Sequence, residues 1–455
     1  MSHAPEDQSV ERLRDLLETD DDAALRAFLD EVPHASDVAE LLEELDEEDR
    51  VHVVRALDPA TAAEALAEMD PEEHPEDSLA ALEPAQMAAV VAEMSDDDAA
   101  DLIGEMAPED QRRVLAALPL EEAGEIRDLM RYPEDSAGGI MTTELVAIPV
   151  GLTAAEATEE VRRQAQEQEI EELYVVFVVD HRRVLQGFLP LARLVSASPA
   201  ARVAELVEEV PATVLPETDR VEVARAVSRY NLTVVAVVDG AGRLLGGVTF
   251  DDVLDVMEEE NTRDILGLGG TSQGEELRGG WGEAVRSRLP WLFVNLITAF
   301  AAASVVYAFE DVVGKVALLA VCMPVIAGMG GNTGTQALAV TVRRLALTAG
   351  SKRPWGVLLK ELLVGATNGL ATGLVAAAAA YGLSIATHGN PRLALVVLLA
   401  MWLNLSIGGF AGAFVPTVLE RFGNDPAVAS SIFVTTFTDT FGFFLLLGLA
   451  SQMLL

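Results

Sequence analysis

The chain has 455 residues and a formal net charge of −42, with 73 acids against 31 Lys and Arg, and half of its residues are hydrophobic. An acidic excess of this size is wrong for nucleic acid or an anionic lipid surface and right for cations. The single cysteine, Cys322, excludes an internal disulfide and a thiolate metal cluster, and its apolar neighbours make it a packing residue.

Charge is unevenly spread: residues 289–455 hold six acids and eight bases, which leaves about −44 on the first 288. Glu6, Asp7 and Glu11 stand where a cleavable signal peptide would have a basic and then an apolar run, so no such leader is expected. The first 131 residues read as a stack of short helices. Leu45, Leu57 and Met69 are twelve apart, and after one extra residue the series resumes as Leu82, Met94, Met106, Leu118 and Met130. Asp58-Pro59, Asp70-Pro71, Glu83-Pro84, Ser95-Asp96 and Ala107-Pro108 supply cap or first-turn residues at the junctions. One such helix cannot bury its apolar side alone, so an acidic α-helical superhelix is predicted, with no catalytic constellation in it.

After Tyr132-Pro133-Glu134-Asp135-Ser136-Ala137-Gly138-Gly139 the pattern becomes strand and helix, and it occurs twice. The first copy has a helix over Glu156–Gln166, a strand Tyr174-Val175-Val176-Phe177-Val178-Val179 closed by Asp180, then Gly187. The second has a helix over Arg220–Tyr230, a strand Val234-Val235-Ala236-Val237-Val238 closed by Asp239, then Gly246. This is similar to a tandem α/β CBS-domain pair, with one copy in 132–197 and the other in 198–250. In such pairs Gly, two apolar residues, Ser or Thr, two residues and Asp can hold a nucleotide ribose. The second copy has Gly246-Gly247-Val248-Thr249-Phe250-Asp251-Asp252, so Thr249 and Asp252 are the candidates for ATP or another adenine nucleotide; the first has Leu189-Pro190-Leu191-Ala192-Arg193 and lacks both groups.

Residues 251–280 form an acidic helix, from Asp251 to Asp264, entering a glycine-rich linker. Its carboxylates lie at three- and four-residue separations and repel one another, and a divalent ion bridging them to acids elsewhere would relieve that repulsion. Residues 281–455 carry five hydrophobic spans, Leu289–Phe309, Val316–Val342, Leu362–Thr387, Leu393–Leu419 and Pro426–Leu455, each longer than the roughly 18 residues that suggest a transmembrane helix. Arg286 and Arg288 precede the first, and Arg343, Arg344, Lys352 and Arg353 join the second to the third. Basic loops stay cytoplasmic, which places the N-terminus in the cytoplasm and the C-terminus outside.

Asp439 is the one charged residue within these stretches. An acid at mid-membrane is a functional group by default, because an unpartnered carboxylate in lipid costs several kcal/mol or more. Pro324 and the glycines of the second span weaken that helix at membrane depth, which is tolerated where freed carbonyls face protein or an aqueous cavity. Gly328, Gly330, Gly331 and Asn332 are therefore candidates to line a pore, and close helix packing through small residues is the competing use of the glycines.

Helical superhelix, tandem CBS pair, linker helix and five-helix transmembrane domain, in that order, resemble the MgtE family of magnesium channels and transporters over nearly the whole chain. The residues that carry this are Gly328-Met329-Gly330-Gly331-Asn332-Thr333-Gly334-Thr335-Gln336, like that family's Gly-Gly-Asn-Thr-Gly signature, and Asn424-Asp425-Pro426-Ala427 with Thr435 to Gly442, like its last helix. The resemblance implies a homodimer in the cell membrane with Asp439 as pore metal ligand, and a plug helix that closes the pore when cytoplasmic Mg²⁺ is high. It places Asp252, Asp255, Glu260 and Asp264 on that helix's metal-sensing acids, and Asp97 and Asp101 on a pair in the superhelical domain. Arg263 and Asn231 depart from the family pattern, which has acids there.

Mg²⁺ suits the residues on independent grounds, being a hard ion that keeps its waters and binds through one or two carboxylates. Scarce His and Cys disfavour a site dedicated to softer metals, while Co²⁺, Mn²⁺ and Ni²⁺ stay open as further ions. The leading expectation is a gated Mg²⁺ pathway and not an enzyme; the alternative is an exporter of Mg²⁺ or another divalent cation coupled to Na⁺ or H⁺. A membrane hydrolase lacks a His-Glu-x-x-His motif and a second membrane acid for an aspartyl dyad, and an acidic entrance argues against an anion channel.

Overall fold

The computed structural model describes residues 6–19, 21–120, 122–167, 173, 175–269, 281–347, 354–422 and 430–455. Tyr174, Lys352, Arg353, Asn424-Asp425-Pro426-Ala427 and the glycine-rich linker 270–280 lie outside these residues. The chain divides into two compact units, Met1–Glu259 and Glu260–Leu455.

In the first unit the twelve-residue series marks where one short helix hands over to the next. Leu45, Met69, Leu82, Met94, Met106 and Leu118 are all buried at such junctions. Asp46, Asp58 and Ser95 each accept the backbone N–H three residues on, and Pro59, Pro84 and Pro108 occupy first-turn positions. The extra residue between Met69 and Leu82 is absorbed by a 3₁₀ turn, Pro71–Glu73, and by His74 at φ 54°, so the next helix starts at Pro75. Alternate helices stack in two rows. Ala35–Glu43, Pro59–Ala67, Pro84–Val91 and Pro108–Ala117 form one; Asp22–Leu29, Glu47–Ala56, Pro75–Ala80, Asp96–Glu105 and Glu122–Leu129 form the other. The superhelix is thus present as predicted.

The two α/β copies repeat each other strand for strand. β1 (Ala147–Pro149), β2 (Val175–Val179) and β3 (Leu185–Pro190) form one sheet; β4 (Thr213–Val214), β5 (Val234–Val238) and β6 (Leu244–Thr249) form the other. In each, the first pair is parallel, the second antiparallel, and the register shifts at the corresponding place, Val178/Val179 and Val237/Val238. The helices between the strands are Ala154–Glu167 and Arg220–Tyr230. The strap before the first copy pairs with the second: Ala137 N–H donates to the Thr218 carbonyl at 2.6 Å, and Thr142 and Gly247 exchange backbone bonds at 2.9 and 3.0 Å. Ala137 and Met141 accordingly share a core with Val214, Val235 and Val237.

The second unit holds five helices long and apolar enough to cross a membrane, spanning Ala284–Ala308, Leu318–Leu345, Trp355–Ala386, Leu393–Arg421 and Ser431–Met453. The fourth packs against the second, third and fifth and is the most buried of them. Cys322 is buried in the shared core with Ile326, Val396, Val397, Ala400 and Leu446.

Two expectations change here. Asp439 is not the one charge within these helices, because they run on past the hydrophobic stretches that reveal them. The third, Pro354–Ala386, has 33 residues, about 50 Å, against a hydrocarbon core of about 30 Å. It therefore takes in Lys360 and a buried Glu361, paired at 3.2 Å. The second helix also runs unbroken through Pro324 and the glycines, from Leu318 to Leu347.

Candidate functional site

Two acid sites emerge, one in each unit. In the membrane unit Asp439 lies near the middle of the fifth helix, Ser430–Met453, half-buried. Hydroxyls near it are committed to their own helix: Thr435 donates to the Ser431 carbonyl at 2.9 Å, Thr436 to Ile432 at 2.6 Å and Thr438 to Thr435 at 3.0 Å. Among the described residues the Asp439 carboxylate makes no hydrogen bond or ion pair, so it is not a structural acid held by Ser or Thr.

The second helix reaches this level through its small residues. Gly330 is buried against the Asn404 side chain and Thr438 of the fourth and fifth helices, Gly331 meets Thr435 and Thr438 at ordinary contact distance, and Gly334 presses on Val434. Gly330 and Gly334 make close helix crossings, and Gly331 does not require one. Gly328 faces open space, and Asn332 is exposed on the single chain. Asn404, which sequence reasoning missed, is fully buried and donates through Nδ2 to the Ile326 carbonyl at 3.0 Å. A lone Asn in an apolar run was the available signal.

In the first unit Ser95 caps the helix Asp96–Glu105, and Asp252 in the first turn of the helix Phe250–Gly269 accepts from Thr249; the charge of Asp252 acts on Asp97, so the two acidic first turns lie close together. Asp97 is buried, and its Oδ1 has no hydrogen-bond partner. Burial raises its pKa well above the usual carboxylate range, and the charges of Asp252 and Asp98 raise it further. Asp101 keeps a solvent-exposed edge, yet protein crowding its carboxylate, followed by Asp98 and Glu134, pushes it up to about 7. Asp252 is pushed up to about 6 by burial, with Asp251 adding to the rise and the Thr249 hydroxyl opposing it. Asp255 is raised by burial and then by Glu68 and Asp251. Glu260 and Asp264 follow on the same helix, beyond the boundary of the second unit.

Glu144, also missed, is pushed up to about 7 by burial and by Asp96 and Asp98. It sits in the strap, where no helical spacing marks it, while Thr143 beside it donates to the Asp96 carboxylate. Uncompensated carboxylates with an orphaned buried oxygen are a donor set suited to a hard divalent cation. Among the described residues, however, no three His, Cys, Asp or Glu side chains are already closed around one metal position. The nucleotide candidates bond to each other: the Thr249 N–H donates to Asp252 Oδ2 at 3.2 Å, and the Thr249 hydroxyl to the same carboxylate. That arrangement is a helix cap.

Comparison with known proteins agrees in all three regions. Residues 323–449 match the MgtE divalent cation transporter family, residues 33–135 the MgtE intracellular N domain and residues 203–259 the CBS domain. The chain is 36% identical to the magnesium transporter MgtE of Thermus thermophilus, over 99% of each chain, and 33% identical to that of Enterococcus faecalis, over 92% of this chain and 91% of the other. Among solved structures, the soluble part of a magnesium transporter is 31% identical with a TM-score of 0.50, covering 56% of this chain and 99% of that one. The cytosolic domain of the Mg²⁺ channel MgtE in complex with ATP is 39% identical with a TM-score of 0.50, covering 54% and 99%.

Proposed function

The chain belongs to the MgtE family of divalent cation transporters, and from that premise we propose that it is a multi-pass Mg²⁺ pathway of the cell membrane, closed by cytoplasmic Mg²⁺. The observation that carries this is Asp439, a half-buried carboxylate at mid-membrane with no hydrogen bond or ion pair of its own among the described residues. In a homodimer the symmetry-related pair would attract a hydrated dication without stripping its waters, in keeping with the reluctance of Mg²⁺ to lose them. Gly328 and Asn332, open on the single chain, would line the same pathway. The N-terminus is cytoplasmic and the C-terminus outside, a reading supported by Arg286 and Arg288 at the start of the first membrane helix and Arg343 and Arg344 near the end of the second.

Closure rests on the acids of the first unit. Asp97, Asp101, Asp252 and Asp255 hold charge that opposes their own packing, and Mg²⁺ bound among them would stabilise the compact arrangement by mass action. Glu260 and Asp264 extend the sensing surface along the same helix. ATP at the second CBS copy would take the Asp252 carboxylate from Thr249, so nucleotide and Mg²⁺ would each change the other's affinity. Calorimetry with ATP, with and without Mg²⁺, would retire this part if no heat appeared in either.

The transport reading is tested by Mg²⁺ flux into vesicles carrying the purified chain, with Na⁺ and H⁺ equal on both sides. Flux that persists, and falls as Mg²⁺ rises on the side of the first unit, is expected. Flux requiring a Na⁺ or H⁺ gradient would replace the channel with a coupled exporter.

A further inference from the structure

Asn404 sits within an otherwise apolar stretch of the fourth membrane helix and is completely buried. Its Nδ2 donates to the Ile326 carbonyl of the second helix at 3.0 Å, which crosses between two helices that no backbone bond joins. Its Oδ1 is buried with no partner. The second helix makes room for the amide with Gly330, where a Cβ would collide with Nδ2, and the fifth with Gly442, where a Cβ would come within 2.8 Å of it. Thr438 flanks Gly330 from the fifth helix and is itself fully buried. Asp439 is the next residue along.

One side chain therefore touches the second and fifth helices at the level of the membrane carboxylate, and both partners have given up a side chain to accommodate it. A packing role alone needs no amide: an apolar side chain would fill the site and leave no orphaned acceptor where water is excluded. The polar groups are better explained by register. A hydrogen bond to one particular carbonyl fixes how the second helix is rotated and shifted against the fourth, and the glycine contacts carry that setting to the fifth.

We infer that Asn404 is a positioning residue of the cation pathway, locking the second and fifth helices to the fourth so that Asp439 is held where the cation passes. This rests on the transport reading above, and its test contains a measurement that does not. Asn404→Leu in the full chain should lower maximal Mg²⁺ flux at least tenfold and shift the half-saturating concentration at least threefold, while the protein stays monodisperse. Asn404→Ser, which keeps a donor in a smaller side chain, covers the case in which the Leu variant fails to fold and should shift half-saturation in the same direction by less.

The independent readout uses Asp439→Cys with Cys322→Ala, and follows how fast a small cationic thiol reagent modifies residue 439 with Asn404 present or replaced. A change of several-fold on replacement supports positioning even if wild-type protein carried no Mg²⁺, a result that would fail the transport reading alone. Wild-type half-saturation and unchanged thiol reactivity in a folded Asn404 variant would overturn the inference, whether or not its melting temperature drops.

Discussion

Burying Arg50 makes its guanidinium depend on what the surrounding loops offer. It is 6% exposed and donates to the Leu42 carbonyl at 3.1 Å and the Leu45 carbonyl at 3.3 Å, to the Glu73 carbonyl, and to Glu73 Oε2 at 3.0 Å. One cation thereby closes the turn after Ala35–Glu43 and anchors the 3₁₀ turn that absorbs the irregular step of the repeat. Removing it strands those carbonyls and leaves the Glu73 carboxylate without this partner, so Arg50→Met should destabilise the first unit by about 3–5 kcal/mol in denaturant titration. A loss under about 1 kcal/mol would mean that water satisfies the site. At Gly330 the constraint is space: Gly330→Ala drives a methyl into the Asn404 amide, and overpacking of this kind costs about 1–3 kcal/mol. Melting of the full chain should fall, and flux should fall further than melting predicts, since the same crossing sets the level of Asp439.

At the scale of an element, the helix Phe250–Gly269 has the most to explain. Its first turn closes β6 through the Thr249–Asp252 cap, its acids face those of the superhelix, and its far end belongs to the membrane unit. Phe250–Gly269 therefore carries acids into both units along one helix. Neutralising Asp252, Asp255, Glu260 and Asp264 together should leave flux that cytoplasmic Mg²⁺ no longer shuts off, with maximal flux retained. If protection from protease by Mg²⁺ and inhibition of flux both survive the quadruple change, these acids are a solvated face. Arg220, which pairs with Glu259 at 2.6 Å, supplies one local cation and too little charge to balance the helix.

For the whole molecule the raised pKa values of Asp101, Glu144 and Asp252 give a definite sign. Acids whose pKa is higher folded than unfolded stabilise the packed state when protonated, and that contribution is lost as pH rises from about 4 toward about 7. Without divalent cations, melting of the first unit should therefore fall between pH 5 and pH 8. Mg²⁺ should flatten that slope, because it neutralises the same carboxylates without a proton. A melting temperature that rises over this range would contradict the assignment.

Much of this architecture was legible in the sequence, for identifiable reasons. The twelve-residue series marks the junctions of the superhelix from Leu45 onward, and the doubled strand pattern with its closing Asp marks the middle strand of each sheet. Local chemistry dictates those features. Helix ends in the membrane did not follow from hydropathy, since a helix continues through Lys360 and Glu361 once its hydrogen bonds are running. Glu144 and Asn404 escaped because their importance lies in neighbours distant along the chain, 48 residues away for Asp96 and 78 for Ile326.

Passage of Mg²⁺ across the membrane past Asp439 is tested by Asp439→Asn. The change removes the charge and keeps the shape, so folding and assembly should be spared while the attraction for a hydrated dication is lost. Flux of Mg²⁺ into vesicles should drop to the level of protein-free vesicles, as with Asp439→Ala. Wild-type flux through a folded Asp439→Asn protein would show that the cation takes another route.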